Sequence, residues 1–129
     1  MERASAEQLK GTAWTMYERL LATYGHQPNI PRREPMHELI STILSHRTTG
    51  HNEDVAYERM WQRFGSWEAI REAPVDELAE TIAPSNYAEQ KAPRIKEVLR
   101  RIIAERGTAN VDFLRDMPLQ DAMDWLTAL

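Results

Sequence analysis

The sequence predicts an all-α fold. Three observations support this. Apolar residues recur at helical spacing along nearly the whole chain, and no stretch alternates apolar and polar residues long enough to make a strand. Ser, Thr, Pro and Gly stand where the apolar stripes begin and end. A composition of 42% hydrophobic and 28% charged residues over 129 positions suits one domain with a real core.

The elements follow in order. Ser5 is placed to cap a first helix whose Leu9, Ala13, Met16, Tyr17, Leu20, Leu21 and Tyr24 share a face, and Gly25 supplies its stop. "HQPNIPRREP" reads as a connector. Pro35 suits a first helical position, and Met36, Leu39, Ile40, Ile43 and Leu44 carry a second helix to about Ser45. "HRTTGHNED" is a polar break in which Thr48 or Thr49 can cap a third helix, with Val55, Ala56, Met60, Trp61 and Phe64 facing inward and Gly65 as its end. Ser66 opens a short helix with Trp67 and Ile70 inward, and Pro74 another with Val75, Leu78, Ala79 and Ile82.

Pro84 forces a turn, and a longer helix covers about Ala88 to Arg106, with Ile95, Val98, Leu99 and Ile102 as its stripe. Pro93 inside that span predicts a late start or a bend. A short turn or helix around Phe113 and Leu114 leads to a last segment, "MPLQDAMDWLTAL", with a stripe of Leu119, Ala122, Met123, Leu126 and Leu129. The chain divides into an N-terminal helix (1–25), a connector (26–35) and a helical domain (36–129).

Composition excludes some chemistry. With no cysteine, neither disulfides nor thiolate metal sites can form within these residues, which fits a cytoplasmic protein. The start "MERASAEQLK" has no apolar run of the secretory type, and nothing approaches the ~18–20 continuous apolar residues of a membrane span. The net charge of −4 argues against nucleic-acid binding unless basic residues gather locally. His46 and His51 lie near Glu53 and Asp54, but their spacing matches no metal pattern, and no metal is assigned. Lys91, Arg94, Lys96, Arg100, Arg101 and Arg106 alternate with Glu89, Glu97 and Glu105, as on a solvated face stitched by pairs one helical turn apart. There is no glycine-rich phosphate loop and no Walker-type lysine.

Three stretches, in order, resemble the endonuclease III branch of the helix-hairpin-helix DNA glycosylases. "PMHELISTILSHRTTG" is similar to that family's apolar helix ending in leucine, serine, glutamine and threonine; Leu44, Ser45, Arg47 and Thr49 take those places. "TIAPSNYAEQKAPRIKEV" resembles its isoleucine, glycine plus bulky residue, then lysine–alanine and isoleucine, matched by Ile82, Asn86, Tyr87, Lys91, Ala92 and Ile95. "FLRDMPLQDAMDWLTAL" resembles the approach to Leu-Pro-Gly-Val-Gly at the heart of the DNA-binding hairpin, with Leu129 as the first leucine.

The resemblance implies part of a six-helix barrel domain, ending just before the hairpin motif. It implies DNA base-excision repair, by hydrolysis of the N-glycosidic bond of a damaged base with or without a lyase step through a lysine Schiff base. The partner would be double-stranded DNA containing a damaged base, and the location cytoplasmic, at the nucleoid. Arg47, Tyr87, Asn86 and Thr49 become the expected DNA-binding residues. In the family the glutamine matched by Arg47 fills the space of the flipped nucleotide, and the bulky residue matched by Tyr87 wedges the opposite strand. Arginine can donate to an orphaned base and stack on it, tyrosine can stack, and asparagine tolerates the left-handed backbone of the family's glycine.

The family's hairpin, catalytic lysine and catalytic aspartate would follow Leu129, and the cysteines of an iron–sulfur cluster later still. No catalytic residue or cofactor is therefore expected within these residues, and the chain alone is expected to be inactive. The family's first helix packs on that later part, so exposed apolar surface and self-association are expected too. A non-catalytic DNA-binding remnant and a helical protein-interaction module remain as other readings.

Overall fold

The computed structural model describes residues 3–129, and among these are seven α-helices, two short 3-10 turns and no strand. Contacts divide the chain into two units, one ending at Arg32 and the other Arg33–Leu129. The division falls inside the expected connector because its last residues are already engaged in the second unit. Arg33 bridges Glu53 at 2.7 Å and Asp54 at 2.8 Å, and the Glu34 side chain caps the next helix by accepting from the His37 amide.

The first unit contains helix α1 (Ala6–Tyr24). Ser5 and Gln8 close a reciprocal capping box, each side chain accepting from the other's amide. Gly25 takes a positive φ of 70° and donates to the Leu21 carbonyl, ending the helix. None of the helix is buried, and Leu9, Met16, Tyr17 and Leu20 are at least half exposed.

The second unit is built on α2 (Pro35–Ser45), α3 (Gly50–Phe64), α4 (Trp67–Glu72), α5 (Val75–Thr81), α6 (Ala88–Arg106) and α7 (Leu119–Ala128). The 3-10 turns are Ala83–Ser85 and Asp112–Asp116. Helix α6 is the centre: α2, α4 and α5 pack on it, and α3 closes against α2, α4, α5 and the first 3-10 turn. The core joins Ile40 and Leu44 of α2, Met60 of α3, Ile70 of α4, Leu78 of α5 and Ile95, Leu99 and Ile102 of α6, all fully buried. Each such side chain contributes about 1.5–3 kcal/mol by leaving water.

Several expectations need correction. Helix α6 does not start late: it begins at Ala88 and runs through Pro93. Pro93 lies on the exposed face, so the bond its missing N–H would have made to Glu89 is lost where solvent can reach the freed carbonyl. Val75 is exposed at the start of α5, and Trp61 is more than a third exposed while packing edge-on against Trp67 at 4.9 Å. Three of the five stripe residues of the last segment also face outward, Leu119, Met123 and Leu126, while Leu129 is buried. Helix α7 docks instead through Trp125, edge-on to Phe113 at 5.0 Å with its indole N–H donated to Glu105, and through buried Leu129.

Candidate nucleic-acid interface

Two loops meet at the end of α2. One follows His46, the C-cap of α2, and carries Arg47; the other, Asn86–Tyr87, joins the 3-10 turn to α6. Among the described residues only three non-glycine residues have positive φ: Arg47 (55°), Asn86 (64°) and Tyr87 (51°). All three belong to the expected DNA-binding set. Such conformations cost roughly 1–3 kcal/mol each and persist only where surrounding contacts impose them. Tyr87 is left-handed proper, with ψ of 34°. Asn86 is not: its ψ of 160° puts it in a region open essentially to glycine. The resemblance pointed to a glycine position, but the left-handed conformation expected at Asn86 is found one residue later.

The contacts that impose this geometry are short and cross-linked. The Arg47 guanidinium lies 5.5 Å from the centre of the Tyr87 ring. The Asn86 side-chain amide donates to Thr48 Oγ1 at 3.3 Å, joining the two loops. The Lys91 ammonium donates to three carbonyls, Leu44 (2.8 Å), His46 (2.7 Å) and Ser85 (2.7 Å). Burial holds the Lys91 amine below the usual lysine range. Arg47, Asn86 and Tyr87 remain exposed, with half of Tyr87 in contact with solvent. Thr49 is also exposed, but its hydroxyl is committed to capping α3 by accepting from the Asn52 amide.

Beside the loops lies a groove of about 850 Å³. Its polar side chains include His46, Arg47, Gln90, Lys91 and Arg94 and no Asp or Glu, while Leu39, Ile43, Val98, Leu126 and Leu129 supply apolar lining, and Arg94 donates to a backbone oxygen of Leu129. A chain with a net charge of −4 thus gathers cationic groups around one groove.

The basic residues of α6 do not form the uniform solvated face that their sequence suggested. Among the described residues, the one ion pair within α6 is Arg100 with Glu97, three residues apart rather than the expected four, and it lowers the Glu97 pKa chiefly through the hydrogen bond. Lys96 donates to the Arg71 and Ala73 carbonyls at the end of α4, Arg94 and Arg101 both donate to the Leu129 carbonyl, and Arg106 lies 3.8 Å over the Phe113 ring. The sequence did contain one signal for Lys91. It falls four residues before Ile95, on the buried stripe rather than the charged face.

With this geometry in place, comparison with known proteins decides the family. The sequence profile of the HhH-GPD superfamily base excision DNA repair proteins matches residues 40–129, well over half of the chain. The chain belongs to this superfamily. Endonuclease III of Thermotoga maritima is 29% identical over 89 residues, covering 69% of this chain and 42% of that protein. The thymine/uracil-DNA glycosylase of Methanothermobacter thermautotrophicus is 31% identical over 75 residues, 58% of this chain and 34% of that protein. The DNA glycosylase/AP lyase ROS1 of Arabidopsis thaliana is 38% identical over 60 residues, 46% of this chain and 4% of that protein. The chain therefore spans less than half the length of each of these HhH-GPD relatives. Both loops fall within the HhH-GPD match, whereas α1 lies outside it. Among the described residues no helix is long and apolar enough to cross a membrane.

Proposed function

We propose that this chain forms the DNA-distorting face of a base-excision DNA glycosylase acting on double-stranded DNA at a damaged base. Arg47 enters the space vacated by the flipped nucleotide, Tyr87 wedges the opposite strand, and Asn86 shapes the turn that presents Tyr87. Thr49 contributes through the cap that orders the start of α3. One observation carries this reading: the three strained non-glycine residues are the ones on the two exposed, mutually bonded loops. Strain maintained at exposed side chains has no packing benefit there, and it suits side chains that must stand ready for a partner. Flipping a base costs a few kcal/mol of stacking, which a guanidinium and a phenol ring can offset by occupying the gap.

The test is duplex binding by this chain, with and without an abasic-site analogue. Tighter binding to the abasic duplex, weakening steeply with salt, is the expected result. Arg47→Ala and Tyr87→Ala should each remove that preference. Equal binding to both duplexes, or none at low salt, would count against the reading and favour a protein-interaction module.

The chemical step is proposed to need residues outside these 129. Borohydride trapping of a covalent DNA adduct by this chain alone would contradict that. The residues supply no thiolate to an iron–sulfur cluster, since they include no cysteine. The work of such a protein places it with the cell's DNA, at the nucleoid, and the exposed apolar face of α1 suits self-association of the isolated chain.

A further inference from the structure

Lys91 has no place in the reading above, yet among the described residues it is the most enclosed charged one, with 6% exposure. Among the described residues no carboxylate pairs with it. Its three ammonium donors meet three backbone carbonyls at 2.7–2.8 Å, a complete match of donors to acceptors. Two of those carbonyls, Leu44 and His46, close the negative end of α2 immediately before Arg47. The third, Ser85, ends the 3-10 turn immediately before Asn86 and Tyr87. The Lys91 backbone amide also donates to the Tyr87 carbonyl at 3.0 Å. One residue on the central helix thus holds the chain on both sides of the interface.

We propose that Lys91 is the positioning residue of the interface, its ammonium clamping the end of α2 to the 3-10 turn so that Arg47 and Tyr87 are presented to DNA at a fixed separation. The clamp does not itself touch DNA; it acts through Arg47 and Tyr87. A tetrahedral ammonium suits the task, because three carbonyls converging from two segments need three divergent donors, and a planar guanidinium fork offers a different geometry. The amine's depressed basicity agrees with its enclosure. The proposal rests on the DNA-distorting reading for its purpose, but the clamp can be observed in the protein alone.

The test uses the chain labelled with 3-fluorotyrosine, the Tyr87 resonance being assigned by Tyr87→Phe. Lys91→Met should shift or broaden the Tyr87 resonance while leaving that of Tyr57 in place. The same variant should lower affinity for abasic duplex by roughly tenfold or more, because small displacements of positioned groups are costly. In the unaltered chain the Lys91 ammonium should give a protected signal, slow to exchange with water. An unchanged Tyr87 resonance in the folded variant would overturn the clamp. So would an ammonium that exchanges as freely as a surface lysine, a measurement that stands even where Lys91→Met does not fold. If the unaltered chain shows no abasic preference while Tyr87 still responds to Lys91→Met, the DNA reading fails and the clamp stands.

Discussion

Asn86 holds a backbone conformation that glycine adopts without cost, and its side chain repays part of that cost through Thr48. Asn86→Gly should therefore stabilise the chain by roughly 1 kcal/mol in urea unfolding, the relieved strain exceeding the lost hydrogen bond and the added freedom of the unfolded chain. Destabilisation would mean that the Thr48 bond dominates. A second residue-scale prediction concerns His37, which stacks on Tyr57 with ring centres 3.6 Å apart and planes 4° from parallel. Burial first, then the Arg33 charge, lowers its pKa from 6.5, against the opposing pull of Glu34, Glu38 and Asp54. Burial likewise pushes Tyr57 up to about 12. The neutral imidazole is thus favoured in the fold. Its contribution is complete above pH 6.5 and is lost as pH falls through the lowered folded value. The thermal midpoint should fall between pH 7 and pH 5, and His37→Phe should flatten that part of the profile. An equal fall in the variant would assign it to other groups.

The helices and caps were legible in sequence because stripe and punctuation agreed. Ser5, Thr49 and Ser66 each accept from an amide in the first turn, and Gly25, Gly65 and Gly107 end their helices with positive φ; the Glu34 cap of α2 was not read from sequence. What failed was the rotation of α7. Its periodicity identifies an amphipathic helix but not which neighbours exist to cover the stripe. Of the stripe only Leu129 is buried, and Trp125, outside it, makes the other docking contact. Trp125→Ala should cost roughly 2 kcal/mol, short of the 3–5 kcal/mol of a fully buried tryptophan, and should free α7 while α2–α6 persist. Amide exchange would show protection lost in α7 alone; uniform loss would mean that α7 is integral to the core. The basic residues of α6 were misread for a related reason. Alternating charges look the same in sequence whether they pair with one another or, like Lys91, Lys96 and Arg101, hold the carbonyl ends of other segments.

At the scale of the molecule, composition and function pull in different directions. A net charge of −4 gives no hint of the proposed DNA partner, because cationic groups matter only where the fold assembles them. The residues of the proposed interface were singled out in sequence through the order of three motifs. Its strain was not legible, since φ angles leave no trace in sequence unless the residue is glycine. The exposed apolar stripe of α1 predicts concentration-dependent association of the isolated chain in sedimentation, and Leu9→Glu with Leu20→Glu should suppress it; a monodisperse monomer would contradict it. The proposed joint insertion of Arg47 and Tyr87 can be read most directly with 2-aminopurine placed opposite an abasic-site analogue. Binding of the chain should quench the orphaned base by stacking, and Tyr87→Ala should abolish the quench while low-salt affinity for intact duplex is retained. A quench of equal depth in the unaltered chain, Tyr87→Ala and Arg47→Ala would contradict the account.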